Sequence, residues 1–231
     1  VPDKVPAAGE GGNSVICISG LRPNRQPFII VDMICGAWGG RPDKDGLEAV
    51  TNASQKLSNI PVEVMEAEHP VRIEDYSFVP DSCGAGQYRG GVGVRRSYRI
   101  LAPEALLQLR TDRVTFQPYG LNGGEPGGSS RNFIEVGNER NALPGKITTT
   151  VARDTLIIHE QAGAGGFGNP LLREPEQVRE DFLDGKITAA FAERHYAVVF
   201  GPRGALDVEA TARLRSERVT TPRLSGTRHG A

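Results

Sequence analysis

The chain has 231 residues, long enough for one large domain or two small ones around a substantial core. Its 27 basic and 28 acidic residues nearly cancel, which argues against a general nucleic-acid or membrane-surface binder. No apolar run approaches the ~18 residues that span a bilayer, and the first residues carry no apolar signal segment.

VPDKVPAAGEGGN, residues 1–13, is rich in Pro and Gly and reads as a linker-like lead. SVICISG (14–20) and PFIIVDMICGAWGG (27–40) are β-branched runs bounded by Gly, Pro and Asn, the pattern of buried strands. RPNRQ between them and RPDKDG at 41–46 are turns. Ser58 or Asn59 is placed to cap a short helix, with Pro61 in its first turn and Glu63 near the positive end of its dipole. VRIEDYSFV (71–79) is a strand with Val71, Ile73 and Val79 on one face.

Three glycine-rich loops follow: DSCGAGQYRGGVGV (81–94), YGLNGGEPGGSS (119–130) and EQAGAGGFGNP (160–170). The segments VRRSYRIL, ALLQLRTDRV, RNFIEV and 146–160 supply further strands between them. Past residue 170 the pattern turns helical. Pro175 opens a helix with Val178 and Phe182 four apart and Gly185 as its stop. Thr188 caps a second helix through Tyr196, with Phe191 and His195 four apart, and VVF after it suggests a short strand. Asp207 caps a third helix, and TTPRLSGTRHGA reads as a tail. The expected organisation is a lead over 1–13, a β-rich body over 14–170, a helical unit over 171–219 and a tail over 220–231. The fold class is α+β, a β-rich body with Gly-rich loops and a C-terminal helical unit.

The three cysteines, Cys17, Cys35 and Cys83, are odd in number and form no CxxC pair, which fits a reducing, cytoplasmic compartment better than a disulfide scaffold or structural zinc. The four histidines are scattered without metal-ligand spacing. None of the glycine loops ends in Lys-Ser or Lys-Thr, and none follows the strand–GxGxxG–helix order, so tight turns with close backbone approach explain them better than phosphate binding. Trp38 is either a core residue or a platform for a ligand. Glu63, Glu66, Glu68 and Glu74 form an acidic cluster that reads first as a solvated or Arg-paired face and second as acid–base machinery. Cys83 lies in an exposed-looking loop with no base named beside it, and His159 and His195 read as structural.

Several segments together resemble the C-terminal part of the hydantoinase B family: GAWGGRPDKDGLEA (36–49), SNIPVEVMEAEHPVRIEDYSFVPDSCGAGQYRGGVGVRR (58–96), YGLNGGEPG (119–127), GAGGFGNPLLREPEQVREDFLDGKIT (163–188) and AERHYAVVF (192–200). The resemblance implies part of a cytoplasmic, multi-subunit, ATP-dependent amidohydrolase of the N-methylhydantoinase/5-oxoprolinase type, inactive alone. Such enzymes phosphorylate the oxygen of a lactam or cyclic imide before water opens the ring. It also implies ATP with Mg on an A-type partner subunit. A divalent metal is expected in an N-terminal half of the B-type subunit, carried on another chain, with neither nucleic acid nor membrane as partner. Cys83 stands where the family has Gly in an Asp-Ser-Gly-Gly segment. The candidate substrate-site residues are Trp38, Asn59, Glu63, Arg72, Asp81 and Arg89, with Asn59 and Arg89 as donors to a substrate carbonyl or carboxylate and Glu63 and Asp81 orienting them. Two alternatives stand beside this reading: a subunit of an ATP-dependent ketone carboxylase of the acetone/acetophenone type, and a non-catalytic assembly domain.

Overall fold

Period-two alternation of apolar side chains builds two antiparallel sheets that face each other. A computed structural model describes residues 2–51 and 57–220. The first sheet has the order β2-β1-β5-β8, from Ser14–Leu21 (β1), Pro27–Ile34 (β2), Glu104–Arg110 (β5) and Lys146–Ala152 (β8). The second has the order β3-β4-β9-β6-β7, from Val71–Val79 (β3), Gly93–Ile100 (β4), Arg131–Val136 (β6), Glu139–Leu143 (β7) and Leu156–Glu160 (β9). Ile16, Ile18 and Ile30 of the first sheet pack against Val94, Ile100 and Ile157 of the second in one continuous core. One polar tie crosses it. Asp32 on β2 accepts from the Tyr98 hydroxyl at 2.6 Å and pairs with Arg96 at 3.1 Å, all three fully buried.

The strand expected over 27–40 stops at Ile34, because the backbone beyond it bonds to loops instead of a ladder. Trp38 N–H donates to Leu47 and Gly40 N–H to Gly165. A bulge between Ile73 and Asp75 resets the alternation in β3, so Tyr76 comes opposite the buried Arg96. The short helix α1 (Val62–Glu68) forms, but Pro61 is its N-cap and makes no side-chain cap bond. The Asn59 side chain instead accepts from Cys35 N–H at 2.8 Å. The polar strand β7 has no apolar alternation to announce it; a hairpin at Gly137 (φ 59°) pairs it with β6.

The glycine segments form a layer at one end of the sandwich. Gly84, Gly90, Gly91 and Gly166 donate to Ala164, Gly84, Trp38 and Glu125 carbonyls. A Cβ on Gly163 would lie 1.9 Å from Ser82 O, and one on Gly39 1.9 Å from Ala7 O. Only a residue without a side chain permits backbones this close. The linker-like reading of residues 1–13 is corrected by the fold. Ala7 and Glu10 are buried, and Ala7 and Ala8 N–H bond to Gly40 and Tyr119 carbonyls.

Helices α2 (Pro175–Leu183), α3 (Ala189–Phe191) and α4 (Val208–Thr220) form the C-terminal unit. Thr188 and Asp207 cap as expected, accepting from Phe191 N–H at 3.2 Å and Ala210 N–H at 2.9 Å. After α3 the chain widens into a π-type turn, Ala192–Tyr196, closed by Ala197 at φ 52°. Val178, Ile187, Tyr196 and Val198 pack on Cys83, Ala85 and Val92, a second core joining this unit to the glycine layer. The expected tail, apart from Thr220, lies outside the described residues. No described helix is long and apolar enough to cross a membrane.

Candidate functional site

The six residues singled out in the sequence do not converge on one cleft. Glu63 is exposed in the first turn of α1. Arg72 is exposed and pairs with Glu74, which also takes Arg99 at 3.0 Å. Asn59 is spent on Cys35 N–H. Asp81, at φ 61°, accepts from Thr188 N–H at 2.6 Å and its hydroxyl at 2.8 Å, fastening the body to the start of α3.

Arg89 and Trp38 belong to the glycine layer, where Gly46 N–H donates to Arg89 O and Gly91 N–H to Trp38 O. The Arg89 guanidinium is buried and pairs with Glu48 at 2.7 Å and Asp181 at 3.0 Å. Arg173 joins the same network, bonding Asp45 with both arms and Asp181 at 2.7 Å. Burial by itself would lift the Asp45 carboxyl, but hydrogen bonds from Arg173 and the charges of Arg173 and Arg89 outweigh it and hold the group below its usual range. Two arginines shared among three carboxylates lock the helical unit in place.

An open hollow of about 240 Å³ lies on the other side of Trp38, walled by Ala7, Gly9, Ala37 and Gly39 and flanked by Glu10 and Arg113. The indole is half-buried and fixed, its Nε1 donating to Thr51 O at 2.7 Å. Arg113 sits at φ 61°, and its guanidinium makes no ion pair among the described residues. A side chain on Gly11 (φ 92°) would meet Arg113 Nε at 3.2 Å, so the glycine leaves room for the arginine to lie across the lead. Glu10 accepts from Gln161 Nε2 at 2.8 Å and Gly36 N–H at 3.2 Å and faces no cation. Burial pushes its carboxyl up to about 8, so it is mostly neutral at pH 7. The setting offers an aromatic side chain, backbone walls and a guanidinium with donors to give.

Of the six residues singled out in the sequence only Trp38 lines this hollow, and Glu10 and Arg113 beside it are not among them. Glu10 lies in the stretch that reads as linker, and the GEGG around it is the available signal, since glycine runs elsewhere in the chain are packed. Cys83 is corrected from an exposed loop thiol to a buried one, and desolvation drives it up to about 12. His159 is buried and structural, with burial pushing its pKa down to about 3. The Asn132 amide donates to Thr111 Oγ1 at 2.9 Å, which turns its oxygen to His159 Nδ1 at 2.7 Å and fixes that nitrogen as the donor. His195 pairs with Glu125 and stacks near Phe191, again tying helix to glycine layer.

The glycine layer does not fit a nucleotide. Its N–H groups at Gly40, Gly84, Gly90, Gly91 and Gly166 are spent on neighbouring carbonyls instead of pointing into an open cradle. Among the described residues, no three His, Cys, Asp or Glu side chains are gathered as a metal ion requires.

A family model described as Hydantoinase B/oxoprolinase matches residues 1–170. A protein of Pseudomonas sp. (strain NS671), provisionally named as the B component of a D-/L-hydantoinase, is 34% identical over 219 residues, covering 93% of this chain and 36% of its own length. The crystal structure of ATP-dependent caprolactamase from Pseudomonas jessenii superposes with a TM-score of 0.82 at 22% identity, covering 94% of this chain and 39% of its own. A nucleotide-free structure of acetone carboxylase superposes with a TM-score of 0.79 at 22% identity, covering 94% and 34%. The chain thus spans little more than a third of the length of such relatives.

Proposed function

Since the chain belongs to the hydantoinase B/oxoprolinase family, we propose that it is the C-terminal portion of the B-type subunit of an ATP-dependent amidohydrolase. The substrate is a lactam or cyclic imide, opened after phosphorylation of its oxygen. ATP with Mg is assigned to an A-type partner subunit, and a divalent metal to the N-terminal portion of the B-type subunit. When bound, the nucleotide supplies the phosphoryl group that turns a poor amide electrophile into a reactive one.

The observation that carries the reading is the likeness over nearly the whole chain to relatives of this family, together with glycine-layer donors at Gly40, Gly84, Gly90, Gly91 and Gly166 that are spent on neighbouring carbonyls. On this reading, Trp38 and the backbone beside it hold the ring, and Arg113 donates to its carbonyl. Glu10, neutral at pH 7, keeps a negative charge away from that oxygen. The Arg89–Arg173 network holds the helical unit against the glycine layer and touches no substrate. The test is reconstitution of the assembly with and without this chain, following ADP and ring-opened product from hydantoin, 5-oxoproline and caprolactam. Product that depends on both ATP and this chain supports the reading.

A ketone carboxylase remains the second reading. The likeness to acetone carboxylase covers the same share of this chain, and activation of a carbonyl oxygen serves both reactions. A non-catalytic assembly role is the third, and the Arg113→Ala experiment below separates it from the first.

A further inference from the structure

The two sheets present opposite outer faces. Outside the five-stranded sheet, charges are paired: Arg95 and Arg131 with Glu160, Arg72 and Arg99 with Glu74, Arg140 with Glu135. This is a surface dressed for water. Outside the four-stranded sheet, Leu21, Ile29, Val31 and Leu106 are 54%, 61%, 51% and 40% exposed. Register places them together. Ser19 lies between Ile29 and Leu106, and Cys17 between Val31 and Gln108. A shallow groove of about 640 Å³ runs across this face between Leu21, Arg22, Pro103 and Leu106. Arg22 and Arg25 stand at one end, with Glu104 lining the same groove, and Arg110 and Lys146 at the other, so the rim is net positive; none of the five is in an ion pair among the described residues.

Exposed β-branched side chains in adjacent rows of a sheet are a contact surface. The helical unit packs on the glycine layer, and the other sheet's outer face is ion-paired, so of the two outer sheet faces this is the apolar one. The relatives carry about 60% of their length beyond the stretch this chain covers, all of which must pack somewhere. We propose that the outer face of the four-stranded sheet, with Ile29, Val31 and Leu106 at its centre and Arg22, Arg25, Arg110 and Lys146 at its rim, seats the remaining portion of the B-type subunit, which meets it with an apolar surface edged by carboxylates. The inference rests on reading this chain as part of that subunit.

Cys17 is a built-in reporter. It sits in the middle of the face and is half-buried, whereas Cys35 and Cys83 are buried. The experiment is alkylation of the full chain by iodoacetamide, alone and co-assembled with the remaining B-type portion and the A-type subunit, with each cysteine read by peptide mass. Assembly is expected to slow Cys17 labelling about tenfold or more, as for a residue in a dry interface centre, with Cys35 and Cys83 unlabelled in both states. Val31→Asp, an outward position that leaves the core untouched, is expected to abolish co-purification of the B-type portion, while Glu135→Lys on the opposite sheet leaves it intact. If the three parts assemble but Cys17 reacts as fast as in the chain alone, the face is wrong and the B-type reading stands. If nothing assembles with the wild-type chain, both fall. Protection of Cys17 by a second copy of this chain, or by the A-type subunit without the B-type portion, overturns the assignment of the occupant.

Discussion

Arg173 and Asp45 stand 128 residues apart and meet with both arms, Nη1 to Oδ1 at 2.6 Å and Nη2 to Oδ2 at 2.7 Å. Arg173 enters just before α2, and Asp45 belongs to the turn after Trp38, so this pair fastens the helical unit to the glycine layer. Asp45→Asn is expected to cost about 3 kcal/mol, at the lower end for breaking a buried pair, because Asp45 retains some access to water. The Asp45 carboxyl is held below its usual range in the folded chain. Its contribution is therefore fully present above the unfolded value of about 4 and is lost as pH falls through the lower folded value. Urea melts at pH 7 and pH 3 check both: the gap between wild type and variant should shrink toward pH 3.

Glu10 carries the opposite sign. Its folded-state value is about 8, well above that of an unfolded glutamate. Ionising it costs stability in the folded chain, so the contribution of Glu10 is fully present below about pH 4 and is lost as pH rises toward 8. Glu10→Gln is expected to flatten the wild-type slope between pH 5 and pH 8. The substitution also replaces an acceptor facing Gln161 and Gly36, so its offset is negative, and the slope is the diagnostic quantity. A variant with the wild-type slope would remove Glu10 as the source.

The glycines divide by what surrounds them. Gly163→Ala would place a Cβ 1.9 Å from Ser82 O and is expected to prevent folding. Gly137 has φ 59° and nothing within 4 Å of where a Cβ would stand, so Gly137→Ala should cost only about 1–2 kcal/mol through its left-handed backbone. Soluble yield and circular dichroism of the two variants measure the difference.

The elements are legible where their signals are local. Alternation marks β1 and β5, and the caps at Thr188 and Asp207 mark the helices, because each depends on neighbours within a few residues. Glycine's role in close backbone approach is also readable from composition, but the carbonyl that each glycine meets is not. Arg89 shows the limit most clearly. An arginine beside three glycines suggests a donor for substrate, and its partners, Glu48 and Asp181, lie 41 and 92 residues away. Glu10 is hidden for the same reason, since its partners Gly36 and Gln161 come from distant loops.

Arg113 separates a catalytic part from a scaffold. In the assembled enzyme, Arg113→Ala is expected to lower kcat/KM for the cyclic amide about tenfold or more, the cost of losing one charged donor to a carbonyl. Assembly and melting temperature should stay at wild-type values, because the guanidinium makes no ion pair among the described residues. An unchanged kcat/KM would favour the assembly-domain reading.

The most direct test is a competition in one vessel: the full assembly with ATP, a cyclic amide, and acetone plus labelled bicarbonate, with ADP, ring-opened amide and labelled carboxylate measured together. The account predicts ring-opened amide formed in step with ADP and no labelled carboxylate, both products vanishing when this chain is left out. Labelled carboxylate with no ring opening, or ring opening that persists without this chain, would contradict it.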